Sequence, residues 1–109
     1  MRLLPFIFVL AVAGCSKTSL STQATEATAQ VQRWVPVGTP LADALRGMEQ
    51  RGFACSVVTN GSFAELRGVD YLYCDRSEGG VTRQRWQAAL VLVEGKVSIV
   101  RVTTGSQGL

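Results

Sequence analysis

The chain has 109 residues, 47% of them hydrophobic and 17% charged, with 11 Lys/Arg against 8 Asp/Glu and a formal charge of +3. So small an excess, with no Lys/Arg cluster anywhere, gives no electrostatic case for a nucleic-acid partner. Histidine is absent, which removes the commonest general base and the commonest metal ligand together.

Met1-Arg2 is a minimal positive start, followed by the apolar run Leu3–Ala13, which contains Pro5. Crossing a bilayer takes about 20 residues at helical rise, so this run is too short to span and suits a signal segment. It ends in Val12-Ala13-Gly14-Cys15, which resembles the lipobox of bacterial lipoprotein precursors. The resemblance implies a diacylglyceryl group on the Cys15 thiol, removal of residues 1–14 as a signal peptide, and acylation (typically palmitate) of the new amino group. At about 0.8 kcal/mol per buried CH₂, two or three acyl chains make an anchor in the lipid bilayer that does not come off spontaneously. Ser16 follows the cysteine. By the same resemblance that favours a cell-envelope location, on the outer membrane facing the periplasm.

Three cysteines are an awkward number in an oxidising compartment. With Cys15 assigned to lipid, Cys55 and Cys74 remain as a disulfide pair, the alternative being two buried free thiols.

Without its signal the chain is one small domain on a stalk. Residues 15–35 are predicted to be the lipidated cysteine and a flexible tether. Its Ser/Thr/Ala/Gln-rich stretch 16–30 has too little apolar area to order itself. The folded domain is placed at 36–109. Thr39-Pro40 opens its one convincing helix, with Thr39 as N-cap and Pro40 at the first helical position. Leu41, Ala44, Leu45 and Met48 make the apolar stripe, and Arg51-Gly52-Phe53 closes the helix in a Schellman motif.

Everything afterwards reads as strand: Phe53–Val58, Asp70–Asp75, Arg83–Val93 and Val97–Thr104. Phe63, Leu66 and Val69, in the first connection, are expected to tuck under the sheet. The predicted fold is therefore α+β, one N-terminal helix on one face of a four-stranded antiparallel meander. A two-residue turn at Glu94-Gly95 pairs Val93 with Lys96, so Leu92 faces Val97, Leu90 faces Ile99 and Trp86 faces Thr103. These residues, with Phe53, Cys55, Val57, Leu72, Cys74 and the helix stripe, form the predicted core. A bulge near the turn would shift this register. The opposite face then carries Val58, Tyr71, Tyr73, Arg85, Gln87, Val91, Val93, Val100 and Val102. Tyr71, Tyr73, Arg85, Val91 and Val100 are singled out as partner-binding, since Tyr and Arg are favoured at binding hot spots. The competing expectation is that β-branched and aromatic residues simply favour strands and that residues 31–37 fold back over this strip.

No Cys/His or Ser/His/Asp constellation is available without histidine, and the carboxylates are scattered. No metal-ligand spacing occurs, so no metal, cofactor or catalytic residue is predicted. One short helix opened by Val37-Gly38-Thr39-Pro40, then a small antiparallel sheet on a lipoprotein stalk, resembles the SmpA/OmlA (BamE-like) envelope lipoproteins over residues 37–104. The sequence departs from them in showing one clear helix rather than two and in adding Cys55 and Cys74. The resemblance implies the fold, and no site residue is carried over. The expected function is a membrane-anchored, non-catalytic module that binds or scaffolds another envelope protein. The alternative is a small inhibitor or ligand-sensing domain of a soluble envelope hydrolase.

Overall fold

The computed structural model describes residues 19–107. Cys15, the proposed signal peptide and Ser16 lie outside the described residues. In chain order the elements are α1 (Ala24–Trp34), α2 (Leu41–Gln50), β1 (Ala54–Phe63), β2 (Leu66–Glu78), β3 (Arg83–Val93) and β4 (Lys96–Gln107). The four strands form one antiparallel sheet in the order β1-β2-β3-β4. The class is α+β, with two helices rather than one.

Over residues 19–35, the described part of the segment read as a flexible tether (15–35), the extra helix corrects that reading. Ala27, Val31 and Val35 recur every fourth position and are all buried, against the same cluster as Met48, Leu72 and Leu90. Packing supplies what propensity alone does not at this length. Polar ties fix the segment to the sheet: the Trp86 indole donates to Ser21 O at 2.8 Å and the Thr104 hydroxyl donates to Thr22 O at 3.0 Å. The Val102 amide donates to Thr28 Oγ1 at 3.2 Å. The apolar stripe was in the sequence, but it was too sparse to stand out before its partner strand was placed.

Helix α2 begins one residue later than Thr39 capping would give. Its N-cap is Pro40, and the Thr39 hydroxyl instead donates to Pro36 O at 2.6 Å. Its end is as expected. Gly52 takes a positive φ of 89°, the Phe53 amide donates to Met48 O, and the Gly52 amide donates to Glu49 O. Those are the two bonds of a Schellman close. The helix runs from the β3–β4 turn, where the Leu41 amide donates to Gly95 O, down to the start of β1.

Cys55 and Cys74 lie directly opposite on β1 and β2 and form a disulfide. By chain entropy a loop of that length contributes about 3 kcal/mol. Beyond the disulfide the two strands run further than the sequence reading placed them. Their hairpin turns at Ala64-Glu65, and register shifts between Val58 and Phe63 bend its end. Glu65 at the tip is ion-paired with Arg101 of β4, across the full width of the sheet. The end of the first hairpin thus curls over the face that the helices leave bare.

Glu94 and Gly95 both have positive φ, as a two-residue primed turn requires, and Val93↔Lys96 and Leu92↔Val97 pair as expected. Between Val91 and Leu92 the register then slips by one, so that Leu90 faces Val100 and Trp86 faces Thr104. The predicted Leu90–Ile99 and Trp86–Thr103 pairs are corrected accordingly. The slip sits beside Val97, whose amide donates to Thr39 O and whose carbonyl accepts from Gly38. A one-residue slip turns every later side chain to the other face. Val100 and Val102 therefore enter the helix-side core, while Ile99 goes to the outer face and is 38% exposed.

One cation sits inside the helix-side core. Arg76 is buried between the rings of Phe53 and Trp86, is ion-paired with Glu78, and donates to Arg51 O at 2.9 Å. A buried guanidinium is tolerable because its donors and its charge are matched.

Candidate binding surface

The outer face divides into two halves. In one, Tyr71, Ala89 and Val91 are buried under Phe63, Leu66 and Val69 of the curled hairpin, with Val58 and Tyr73 at its margin. The Tyr71 hydroxyl donates to Ser62 O at 2.9 Å, and the Phe63 ring lies 6.0 Å from that of Tyr71, tilted. This is a second, smaller core. Residues 31–37 do not contribute to it, because Val31 and Val35 lie on the opposite side of the sheet.

In the other half the side chains are polar and held by one another. Arg85 grips Asp75 with two bonds, Nε to Oδ1 at 2.9 Å and one terminal amine to Oδ2 at 3.0 Å. That fork holds the Arg85 guanidinium above its ordinary value, chiefly through the hydrogen bond to Asp75. Gln87 donates to the Tyr73 hydroxyl at 2.7 Å. The register produces this arrangement: Asp75 faces Gln87 and Tyr73 faces Ala89, so Arg85 reaches Asp75, and Gln87 reaches Tyr73, along the diagonals of one face.

Of the five residues singled out for binding, the structure brings Tyr73 and Arg85 together on the accessible half. Tyr71, 5% exposed, and Val91, 4% exposed, are covered by the hairpin end, and Val100 is buried against the helices. Those three are corrected from contact residues to core residues. Sequence reasoning missed Asp75, whose role depends on the diagonal pairing, and Ile99 and Arg101, which only the slip in β4 brings to this face.

On α1 a shallow hollow is lined by Ser21, Glu26, Ala29, Gln30 and Arg33. Its polar groups mostly serve the fold: Gln30 accepts from the Ser21 amide and donates to Ser19 O, and the Ser21 hydroxyl donates to Glu26. Among the described residues no three Cys, Asp or Glu side chains converge as a metal site, and no helix is long and apolar enough to cross a membrane. Comparison with known proteins finds no match to any family model, curated protein or solved structure.

Proposed function

We propose that the protein is a lipid-anchored, non-catalytic binding module of a bacterial cell envelope, held at the membrane by acylated Cys15 and presenting the polar half of its outer face to an envelope protein. The observation that carries the binding role is the braced row of Tyr73, Gln87, Arg85 and Asp75. A large aromatic group and a guanidinium already fixed in place lose little rotamer freedom on contact, which is what a binding surface gains from preorganisation. The envelope location is supported by the lipobox Val12-Ala13-Gly14-Cys15 and by the Cys55–Cys74 disulfide, a bond that persists in oxidising compartments. The ordered fold is already under way at Ser21, which accepts from Trp86. On this reading few residues separate the anchor from the domain, so the outer face works close to the membrane surface.

Two measurements test the two parts separately. Cys15→Ala should leave an unprocessed precursor without acyl label; unchanged mass and membrane fraction would refute the anchor. Partners captured by the wild-type protein from mildly solubilised envelopes, identified by mass spectrometry, should be lost from Tyr73→Ala and Arg85→Ala variants that remain folded. Retention by both, with loss from Arg46→Ala on α2, would move the binding surface to the helix side.

A further inference from the structure

The two edges of the sheet are finished differently. Along β4, the amide and carbonyl of Val97 are bonded to Thr39 and Gly38, and the Val102 amide donates to the Thr28 hydroxyl. That edge is covered by the α1–α2 connection and by α1 itself. Along β1 nothing comparable is found among the described residues. The Cα atoms of Cys55 and Cys74 are 4.1 Å apart, which marks a non-hydrogen-bonded pair of an antiparallel ladder. The amides and carbonyls of Cys55 and Val57 consequently point away from β2, and no described group takes them up.

Charge and proline, two of the usual protections of an edge, are also missing there. Ala54–Phe63 contains no charged residue and no proline. Its two register shifts, between Val58 and Gly61 and between Gly61 and Phe63, lie toward the hairpin tip and leave the paired run 54–58 regular. Val57 belongs to the helix-side face but is 55% exposed, beyond the cover of α2 and contrary to its expected place in the core.

We infer that the free edge of β1 pairs with β1 of a second copy of this chain, antiparallel, about a two-fold axis through Val57. Val57 faces its own counterpart in that register and Cys55 faces Thr59, giving one continuous eight-stranded sheet with all four helices on one side. A second copy fits for three reasons. The strand is uncharged, so pairing with itself brings no like charges together. The two exposed Val57 side chains meet on the same face and cover each other, as directly opposite residues do. The covered β4 edge cannot accept a β1 strand, so association closes at two copies and does not run on as a fibre. Only a short stretch of edge is used, so the contact belongs below the about 1,200 Å² of stable standard interfaces and the dimer is weak in dilute solution. The pairing itself is independent of acylation.

The test uses the full chain in membranes, with a photo-reactive benzoyl-phenylalanine at Val57 and, as a control, at the exposed Val81 of the β2–β3 turn. Illumination should give an adduct of twice the chain mass from position 57 and not from 81. After reduction and trypsin, the cross-link should join two copies of the segment between Arg51 and Arg67. No adduct, an adduct with a different polypeptide, or a cross-link into β4 would each overturn the pairing. Sedimentation equilibrium of detergent-solubilised protein avoids the bulky label. Val57→Lys should weaken self-association at least ten-fold while the near-ultraviolet circular dichroism of the fold is kept; undiminished association would overturn the pairing too. Acyl labelling of Cys15 is read independently, so a failed dimer and a failed anchor are told apart.

Discussion

The two faces of this sheet are covered by different means, and the contrast shows how so small a domain makes use of its residues. The helix-side face is closed by two separate elements whose stripes meet a row of strand residues: Ala27, Val31, Ala44 and Met48 against Leu72, Leu90 and Val100. The outer face receives no element of its own. Half of it is covered by the bent end of β1 and β2, which lays Phe63, Leu66 and Val69 over Tyr71, Ala89 and Val91. The first arrangement depends on distant parts of the chain finding each other, the second on a local bend in one hairpin. The remaining half has no such cover; half-buried Arg85 lies on it, and Tyr73, packed against the second core, borders it.

Adjacent residues of β3 sample the two covers, and the largest effect is expected on the helix side. Leu90 is fully buried there while Val91 is nearly so on the outer side. Leu90→Ala should cost about 2–5 kcal/mol, the range for a buried leucine that leaves a cavity. Val91→Ala removes two methyl groups and should cost about half as much. Urea unfolding followed by the fluorescence of Trp34 and Trp86 measures both. Equal losses would mean that the hairpin end is as firm a cover as the two helices.

Much of this contrast was legible in the sequence, and the part that was not has definite causes. The α2 stripe, its Schellman close, the Cys55–Cys74 pairing and the four-strand meander follow from local patterns that the tertiary structure does not override. Phe63, Leu66 and Val69 were legible as apolar residues needing cover, although the strands through them were not, because the bend breaks the alternation. Helix α1 was missed because Ala, Thr and Gln dominate it and its two buried residues have meaning only against β4. The face of Val100 was missed for a different reason. The slip that turns it lies where Gly38 and Thr39 bond to Val97, a contact between segments far apart in sequence that no strand pattern encodes. The binding surface was only partly legible: Val100 was lost to the slip, and Tyr71 and Val91 to the cover of the bent hairpin.

A second, smaller effect is expected at the bend that makes the outer cover. Gly61 lies between the two register shifts, and a Cβ there would come within 2.5 Å of Val58 Cγ1 and 3.3 Å of the Tyr71 ring. Val58 is β-branched and has little freedom to move aside. Gly61→Ala should therefore cost about 1–3 kcal/mol through overpacking. The loss should be local: amide exchange should accelerate across residues 61–71 and at Ala89 and Val91, while the amides of Leu72 and Val100 keep their protection relative to the new global stability. Uniform acceleration over both faces would show that the two covers form one cooperative unit.

The smallest effect is expected at the tip of the same hairpin, where Glu65 meets Arg101 on the far strand. Both side chains are exposed, so the pair is weak and salt-sensitive, and its value as a probe lies in its pH dependence. The hydrogen bond from Arg101 holds the Glu65 carboxyl below its ordinary value of 4.5. A carboxyl lowered on folding stabilises the folded state at pH values above its unfolded value, and that contribution fades as pH falls through the lower folded value. Wild type should accordingly exceed Glu65→Gln in urea midpoint by a small, constant margin above about pH 5, and the margin should shrink toward zero as the solution is acidified below the ordinary carboxylate range. Raising the salt to about 1 M, where the Debye length is about 3 Å, should remove most of the margin at neutral pH. A margin that survived both acid and salt would mean that Glu65 holds the hairpin end by packing of its stem, and that the ion pair across the sheet contributes nothing to the outer cover.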